Sequence, residues 1–363
     1  MENEQSFFEG KTVLVTGGAG AIGGNLVRRL SGLNAEKIII LDNLSSSYEW
    51  NIAQADNVQF IQGDILDEEK LKWAFKAKPD IVYHLAAHFA NQNSVDNPEK
   101  DLMVNGMGIL KVLQYAHLVD VERFIYASSG CGIYGLDSKM PFEEHDISIK
   151  LYTPYQVTKM IGELYTNYFY NLYGLPIVNA RFFNSYGPGE VPGKYRNVIP
   201  NFFYWSMNGL PLPITGTGEE TRDFTYVGDL VNGLVKMVTH DDAVGEAINL
   251  GAGREIQLQA VIGAELAQAQ ASDSHRRRIV TRAHASSRGA GPGLNSPISF
   301  WIVTGHDRMD LRGSYRAVRS PFLQWDGLGW QLFCLLKMPR SWRRSSHGSC
   351  VRLAIVFCMR PMG

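Results

Sequence analysis

Residues 13–23 read Val13-Leu14-Val15-Thr16-Gly17-Gly18-Ala19-Gly20-Ala21-Ile22-Gly23. A short apolar run leads into a glycine-rich turn, and the amphipathic segment Ile22–Leu30 follows it. Glycines spaced three residues apart allow a tight turn and a close approach of the backbone to a pyrophosphate, which lies at the N-terminus of the next helix. This stretch therefore predicts a dinucleotide-binding unit. The alternative is a glycine-rich turn that binds some other phosphate.

Apolar runs and amphipathic segments alternate through about residue 185, as they do in βαβ units. One predicted helix is Glu68–Phe75. The predicted strands are Thr12–Thr16, Lys37–Leu41, Val58–Gln62, Ile81–His84, Arg123–Ala127 and Pro176–Arg181. This alternation predicts an α/β fold, a Rossmann-type doubly wound parallel sheet. Frequent Gly and Pro from residue 186 predict a smaller C-terminal substrate-binding cap. We expect a nucleotide-binding domain at 1–185, a partial cap at 186–262 and an atypical Arg-rich tail at 263–363.

The overall composition is that of a globular protein, with 45% apolar and 20% charged residues. No apolar run approaches the roughly 20 residues that span a bilayer. The acidic N-terminus lacks the apolar core of a signal peptide, so we expect a cytoplasmic protein without a membrane partner. Four cysteines without regular spacing indicate neither a disulfide scaffold nor a zinc site.

The net charge of −1 hides two different compositions. Residues 1–264 carry a net charge of −11 and residues 265–363 a net charge of +10, and Arg replaces Lys as the main base in the second part. We interpret the second part as a shifted reading frame or an unrelated fusion. The alternative is a basic module that binds nucleic acid or an anionic surface. No such module is recognisable, so nucleic acid is not the expected partner.

Asp42 ends the second predicted strand, 19 residues after Gly23. A carboxylate at this place can bind both hydroxyls of a ribose, and it would repel a 2′-phosphate. The following residues 43–47 contain no Arg or Lys that could bind such a phosphate. The sequence therefore favours NAD over NADP as the cofactor.

Tyr155 and Lys159 are four residues apart, so on a helix their side chains share a face. A nearby cation stabilises a phenolate and lowers the tyrosine pKa from its usual value of about 10. We therefore expect Tyr155 to serve as a base near neutral pH. The alternative, a solvated helix face, is weaker because a dinucleotide loop lies upstream.

Together these motifs resemble the extended short-chain dehydrogenase/reductase family, specifically its nucleotide-sugar epimerases and dehydratases of the UDP-glucose 4-epimerase type. The resemblance covers about residues 10–262. The motifs are Thr16–Gly23, Asp42-Asn43-Leu44, Gly63-Asp64-Ile65, His84-Leu85-Ala86-Ala87, Tyr155-Gln156-Val157-Thr158-Lys159, Arg181-Phe182-Phe183-Asn184-Ser185-Tyr186-Gly187-Pro188, Thr221-Arg222-Asp223-Phe224-Thr225-Tyr226-Val227-Gly228-Asp229 and Asn249-Leu250-Gly251.

The resemblance implies a role for each matching residue. In the family the tyrosine removes a proton from a sugar hydroxyl while hydride passes from the same carbon to NAD, and the lysine also holds the nicotinamide ribose. The implied cofactor-binding residues are Gly17, Gly20, Ala21, Ile22, Gly23, Asp42, Asn43, Asp64, Ile65, Leu85, Ala86, Ala87, Tyr155 and Lys159. The implied ligands of the nucleotide sugar are Asn184, Asn197 and Arg222. Arg222 would bind the diphosphate, and its alternative is a salt bridge with Asp223.

The loop after the fifth predicted strand departs from the family pattern. The usual hydroxyl residue falls on Gly130, and the Asp-Glu pair of the 4,6-dehydratases falls on Cys131 and Gly132. Gly132 also takes the place of the glutamate of the decarboxylases. Dehydration would lack its acid-base pair, so we expect epimerisation, with Ser129 as the nearest hydroxyl. Cys131 is either a buried apolar residue or the acid/base of a 3,5-epimerase.

Other features imply no metal and a homodimer. His84 and His88 lack a third ligand at a regular spacing, and the family uses no metal. Tyr152 competes with Tyr155 as the base but has Gln156 four residues later. The aromatic side chains of residues 165–173 would be core or dimer surface, since in the family this helix packs against its twin. Remaining alternatives are a nucleotide-sugar 4,6-dehydratase or decarboxylase, and a NAD-binding protein of impaired activity with an aberrant C-terminus.

Overall fold

The computed structural model describes residues 2–135, 138–214, 216–263, 330–335 and 356–361. The described residues form two compact units, one comprising the ranges 2–135, 138–201 and 216–258, the other the ranges 202–214, 259–263, 330–335 and 356–361. The predicted division of the chain at residues 185 and 262 stays a prediction. Most of the predicted Arg-rich tail lies outside the described residues. The strands in chain order are β1 Thr12–Thr16, β2 Lys37–Asp42, β3 Val58–Gln62, β4 Ile81–His84, β5 Arg123–Ser129, β6 Ile177–Phe182, β7 Asn184–Tyr186, β8 Thr221–Arg222, β9 Phe224–Tyr226, β10 Ala247–Leu250, β11 Ile256–Gln257, β12 Trp330–Leu335 and β13 Val356–Pro361.

The helices lie between these strands. In chain order they are α1 Glu2–Phe8, α2 Ala21–Ser31, α3 Glu68–Phe75, α4 Asn91–Asp96, α5 Pro98–Asp101, α6 Gly108–Leu118, α7 Gly130–Ile133, α8 Pro154–Tyr173, α9 Val198–Met207 and α10 Val227–Thr239, with a π-helical turn at Leu102–Met107 and 3₁₀ turns at Glu49–Asn51 and Asp241–Ala243. No helix in the described ranges is both long and apolar enough to cross a membrane.

A seven-stranded parallel sheet in the order β10-β6-β5-β4-β1-β2-β3 forms the first unit. The prediction of a doubly wound Rossmann-type sheet is therefore confirmed. The strand order reverses between β1 and β4, and in such sheets ligands bind at the carboxyl ends of the strands beside this point. The short pairs β7–β9 and β8–β11 complete this unit, and β12 pairs with β13 in the other.

Apolar side chains cover both faces of the sheet, as expected for parallel strands. One core packs α2 and α10 against the sheet through residues such as Leu26, Leu30 and Leu234. The other packs α3, α6 and α8 on the opposite face, with Leu71, Leu113 and Phe169 among its members. The two cores thus pack the sheet between helices on both faces, and the candidate site lies at the carboxyl ends of its strands.

Candidate functional site

The glycine loop has the close contacts that a dinucleotide turn requires. Gly17 has φ +71°, and a Cβ there would lie 2.7 Å from the backbone nitrogen of Ala86. A Cβ on Gly23 would lie 2.3 Å from the carbonyl oxygen of Gly17. Only glycine fits at either position. The loop opens α2 at Ala21 and Ile22, so the N–H groups of this helix end face the carboxyl edge of β1.

Asp42 lies at the end of β2, beside the glycine loop. Its Oδ2 accepts a hydrogen bond from the backbone N–H of Ala19 at 3.0 Å, and its Oδ1 accepts bonds from the Leu44 N–H and the Ser47 hydroxyl at 2.8 and 2.7 Å. Asn43 donates to Asp64 at 2.7 Å. The structure thus brings the predicted ribose carboxylate together with the phosphate loop, and the geometry fits the adenosine half of NAD.

Residues 85–87, which directly follow β4, lie on the other side of the glycine loop from Asp42. The N–H of Leu85 donates to the Thr16 carbonyl at 3.0 Å, and the N–H of Ala86 donates to the Thr16 hydroxyl at 3.3 Å. These bonds hold residues 85–87 directly against Gly17. Ile65, on the far side of Asp64, is buried under Gly108. The predicted cofactor residues between Gly17 and Ala87 therefore lie along the carboxyl edge of β1–β4, and the remaining two, Tyr155 and Lys159, lie on α8.

Asn51 supports the glycine loop and was not predicted. It is 1% exposed, and its Nδ2 donates to the carbonyls of Ala19 and Gly20 at 2.9 and 2.7 Å. Arg28 of α2 donates in turn to the Asn51 carbonyl at 3.0 Å and to its side-chain oxygen. Burial lowers the pKa of Arg28. No pattern in the sequence links Asn51 to the loop, because the contact is made through the fold.

The start of α8 places Tyr155 and Lys159. Thr153 and Gln156 form a capping box, Pro154 occupies the first turn, and Gln156 also donates to the Cys131 carbonyl at 2.8 Å. This contact ties the helix start to the loop after β5. The helix ends at Tyr173 and is capped by Gly174, which has φ +68°. A capping box fixes the first residue of a helix, and therefore the direction in which Tyr155 projects.

Tyr155 and Lys159 are buried at 8% and 3% exposure. The Lys159 Nζ lies 5.6 Å from the centroid of the Tyr155 ring and 5.2 Å from that of Tyr126. It donates its hydrogen bond to the carbonyl of Ala127, at 2.8 Å. The predicted pair therefore shares one site at the end of β5, with the ammonium beside the aromatic rings.

The expectation that Lys159 lowers the pKa of Tyr155 was wrong for the protein without ligands. Burial raises the pKa of the phenol above its usual value, the thiol of Cys131 raises it further, and a hydrogen bond from Ser129 lowers it. Burial also lowers the pKa of Lys159 to about 8. The cost of removing both groups from water exceeds the attraction between them, and this cost is not visible in the spacing of two residues.

The loop after β5 brings Ser129, rather than residue 130, to the phenol. A Cβ on Gly130 would lie 2.7 Å from the ring of Phe183, so a side chain at 130 has no room. Cys131 is reached by solvent, yet burial raises the pKa of its thiol and the charge of Arg222 partly offsets this rise. The neutral thiol is thus the favoured form.

The three predicted ligands of the nucleotide sugar lie in this unit but contact different neighbours. Asn184 donates to the Asp223 carbonyl at 3.2 Å, and Asn197 donates to Glu190 at 2.8 Å. Arg222 is exposed and donates to the carbonyl of Thr221 at 2.7 Å. The alternative salt bridge between Arg222 and Asp223 does not form in the described residues. Asp223 instead accepts the N–H groups of residues 252 and 253.

A buried ion pair behind the site was also missed. Glu163 accepts from Arg181 Nε and Nη2 at 2.9 and 2.8 Å and from the hydroxyl of Ser128. Arg181 also donates to the Tyr134 hydroxyl at 3.0 Å and to the Glu144 carbonyl at 2.6 Å. The pair joins α8, β5, β6 and the loop that carries Cys131. Glu163 follows Lys159 by four residues, and this spacing could have suggested that Glu163 lies on the same face of α8 as Lys159.

The two histidines beside β4 have other partners than a metal. The ring of His84 lies 2.8 Å from the Thr16 hydroxyl, and burial lowers its pKa to about 3, so it is neutral. The ring of His88 lies 3.3 Å from the carboxylate of Asp101. Within the described ranges, no cluster of three potential metal ligands occurs.

Comparison with known proteins agrees with this site. Residues 13–251 match the NAD dependent epimerase/dehydratase family. A UDP-glucose 4-epimerase of Mycolicibacterium smegmatis is 34% identical over 67% of this chain and 77% of its own length. A solved epimerase of Methanothermobacter thermautotrophicus is 67% identical, with a TM-score of 0.73 over 74% of this chain and 80% of that one.

A UDP-glucose 4-epimerase of Thermotoga maritima, solved with UDP-glucose, is 33% identical with a TM-score of 0.66 over 70% of this chain and 81% of that one. The predicted family, cofactor and Rossmann fold are confirmed. The chain belongs to the NAD-dependent epimerase/dehydratase family, and its cofactor is NAD.

Proposed function

We propose that this protein is a cytoplasmic NAD-dependent UDP-sugar 4-epimerase that acts through a transient 4-keto sugar. The loop after β5 carries this proposal, because Cys131 and Gly132 stand where a dehydratase needs a carboxylic acid and a carboxylate. In the described part of the chain, the groups that affect the pKa of the Tyr155 phenol besides burial are Cys131, Ser129 and Asp101. None of these supplies the acid-base pair of a dehydration.

The proposed roles follow from the geometry of the site. Tyr155 takes the proton of the sugar C4 hydroxyl, Ser129 hydrogen-bonds the phenol, and Lys159 supplies positive charge beside its ring. The residues along the β1–β4 edge would hold NAD, which would supply the acceptor for the hydride of that carbon. Return of the hydride to the opposite face of the sugar gives the epimer, and the sugar is neither dehydrated nor decarboxylated.

The substrate class rests on the basic residue beside the loop. Arg222 is exposed, free of an ion pair in the described residues, and near enough to Cys131 to affect its pKa. A planar guanidinium binds diphosphate oxygens well. Asn184 and Asn197 would complete the nucleotide-sugar site. The relatives named UDP-glucose 4-epimerase support UDP as the nucleotide.

Two alternatives are weaker but testable. Relatives also include a dTDP-D-glucose 4,6-dehydratase of Dictyostelium discoideum, 31% identical over 70% of this chain and 61% of its own length. The absent carboxylates oppose that reaction here. A 3,5-epimerase that uses Cys131 is opposed by the raised pKa of its partly desolvated thiol, since a thiolate would be needed as the base. An aberrant C-terminus that impairs activity remains a third hypothesis.

A homodimer is part of the proposal. Leu164, Tyr168 and Leu172 follow one another at intervals of four on α8 and are 61%, 49% and 59% exposed, and Leu118 at the end of α6 is 75% exposed. Phe169, by contrast, is core. Exposed apolar rows of this kind mark an interface. Leu164→Glu should convert a dimer to a monomer in sedimentation analysis, and an unchanged mass would refute this interface.

The decisive experiment incubates the protein with NAD and a panel of UDP- and GDP-sugars and resolves the products by chromatography and mass. Isomers of unchanged mass are expected from a UDP-hexose. Products that have lost water or CO2 would refute epimerisation. Full turnover in Cys131→Ser would refute the 3,5-epimerase alternative, in which Cys131 is the base. Tyr155→Phe should abolish turnover and leave NAD affinity within about twofold, because the ring keeps its packing and loses only the proton acceptor.

A further inference from the structure

Two adjacent residues between β7 and α9 bond to elements on opposite sides of β1. The Tyr195 hydroxyl donates to the carboxylate of Asp96, the last residue of α4, at 2.7 Å. Arg196 donates to the backbone carbonyl of Ser46, which lies in the loop after β2. Lys194 also donates to Asp96, at 3.1 Å. One short stretch of chain therefore joins the elements that follow β4 and β2.

These two attachment points flank the groove at the carboxyl ends of β1–β4 that would hold NAD. Ser47, next to Ser46, donates to Asp42 at 2.7 Å, on the side of the predicted ribose site. Ser94 of α4 accepts the backbone N–H of Tyr155 at 3.0 Å, on the catalytic side. In the sheet β1 lies between β4 and β2. Because adjacent Cα atoms are only about 3.8 Å apart, a chain that reaches both sides must cross the carboxyl end of β1.

The crossing segment is a turn held by hydrogen bonds. The Arg196 N–H donates to the Gly193 carbonyl at 3.2 Å, and this bond closes a turn with Lys194 and Tyr195 at its centre. Asn201 of α9, which is 9% exposed, accepts the Gly193 N–H at 2.8 Å. It also donates to the carbonyls of Gly193 and Arg196 at 3.1 and 3.2 Å. The turn thus presents its side chains in fixed directions.

The chain that leads to this turn packs against the supports of the glycine loop. Asn25 of α2 donates to the Pro188 carbonyl at 2.8 Å. A Cβ on Gly189 would lie 2.9 Å from the side-chain oxygen of Asn51, so the backbone passes close to that buried amide. The path from residue 188 to residue 196 therefore begins beside the pyrophosphate helix and ends across the groove.

We propose that residues 193–197 form a strap over the NAD groove, with one latch at Asp96 and the other at the Ser46 carbonyl. The latches of Tyr195 and Arg196 have to open before NAD can enter or leave. Both latches join protein to protein, so they resist opening equally in the empty and the filled groove. The proposal goes beyond the proposed function and needs only the cofactor, and its test therefore uses no sugar.

Opening each latch by substitution tests the strap. Asp96→Ala removes the acceptor of Tyr195 and Lys194, and Arg196→Met removes the donor to Ser46 and keeps an apolar stem. Stopped-flow fluorescence measures NADH association directly and NADH dissociation after a chase with excess NAD. Each variant should raise both rate constants about threefold to fivefold, as expected for exposed polar contacts, and the double variant about tenfold. The Kd for NADH should stay within about twofold, because a strap slows entry and exit alike.

Glu69→Ala is the matched control. It deletes an exposed carboxylate of α3 that pairs with Lys72 at 2.9 Å, and it should leave both rate constants unchanged. If Asp96→Ala fails to fold, Tyr195→Phe deletes only the latch hydroxyl and should still raise both rate constants about twofold. Unchanged rates in the double variant would overturn the proposal. A faster dissociation with unchanged association would also overturn it, since the side chains would then be direct ligands of NAD.

Discussion

Replacing Glu163 by glutamine should strongly destabilise the protein, because it removes the carboxylate that balances the buried charge of Arg181. Glu163 is 4% and Arg181 2% exposed, and two N–H···O bonds join them at 2.9 and 2.8 Å. Glutamine offers one oxygen, and its NH₂ group would face a guanidinium N–H donor. Arg181 would then be a buried cation without a balancing charge.

The cost can be estimated from the loss of one partner in a buried pair, about 3–5 kcal/mol. A typical domain is stable by about 5–15 kcal/mol, so the variant would lose a large fraction of its stability. For a unit of this size each kcal/mol lowers Tm by roughly 2–4 °C, and a decrease of about 10 °C is expected. Scanning calorimetry or urea unfolding measures it.

Glu68→Gln is the matched control on the surface. The Glu68 side chain is 50% exposed and accepts from Lys111 at 2.9 Å. Surface pairs of this kind contribute little to stability, because solvent screens the two charges. The reasoning is refuted if Glu163→Gln and Glu68→Gln have the same free energy of unfolding. It is also refuted if the replacement of Glu163 costs less than about 1 kcal/mol.

Three further predictions concern the site itself. The free energy of unfolding should rise by about 2 kcal/mol from pH 8 to 9.5. In the folded chain Lys159 releases its proton above its pKa of about 8, whereas in the unfolded chain it keeps the proton. Urea titrations at both pH values measure this rise, and Lys159→Met should remove it. Gly130→Ser should destabilise by about 1–3 kcal/mol, since its Cβ would lie 2.7 Å from the Phe183 ring; Gly130→Ser combined with Phe183→Leu should recover stability, and no recovery would contradict the steric reason. Asp42→Asn should weaken NAD binding about tenfold in calorimetry and should reduce the ratio of the affinity for NAD to the affinity for NADP. An unchanged ratio would show that Asp42 does not select between the two cofactors.

The sequence was sufficient where one element encodes its own structure. The predicted strand Val58–Gln62 and helix Glu68–Phe75 have the same bounds in the structure. Both are bounded by local signals, such as Asp67, whose side chain caps the helix. The glycine loop was predicted for the same reason, because the positive φ of Gly17 and the contact of Gly23 with the Gly17 carbonyl both arise within the loop itself.

The sequence was insufficient where partners come from distant elements. Asn51 contacts Ala19 across 32 positions, and Glu163 binds Arg181 from the next strand. Neither contact has a fixed spacing that a reader of one sequence could recognise. Gly130 was noticed as a departure from the family pattern, but its reason is the ring of Phe183, which packs against it only after β5 and β6 are paired.

The pKa of Tyr155 shows most clearly why local reasoning failed in part. Two residues at helical spacing suggest an attraction that lowers the tyrosine pKa, whereas burial favours the neutral form of each group. For Tyr155 to act as a base, the surrounding charges and dipoles must therefore stabilise its phenolate together with Lys159. Ser129 acts on the phenol and Asp101 on the ammonium, and they approach the site from β5 and α5 respectively.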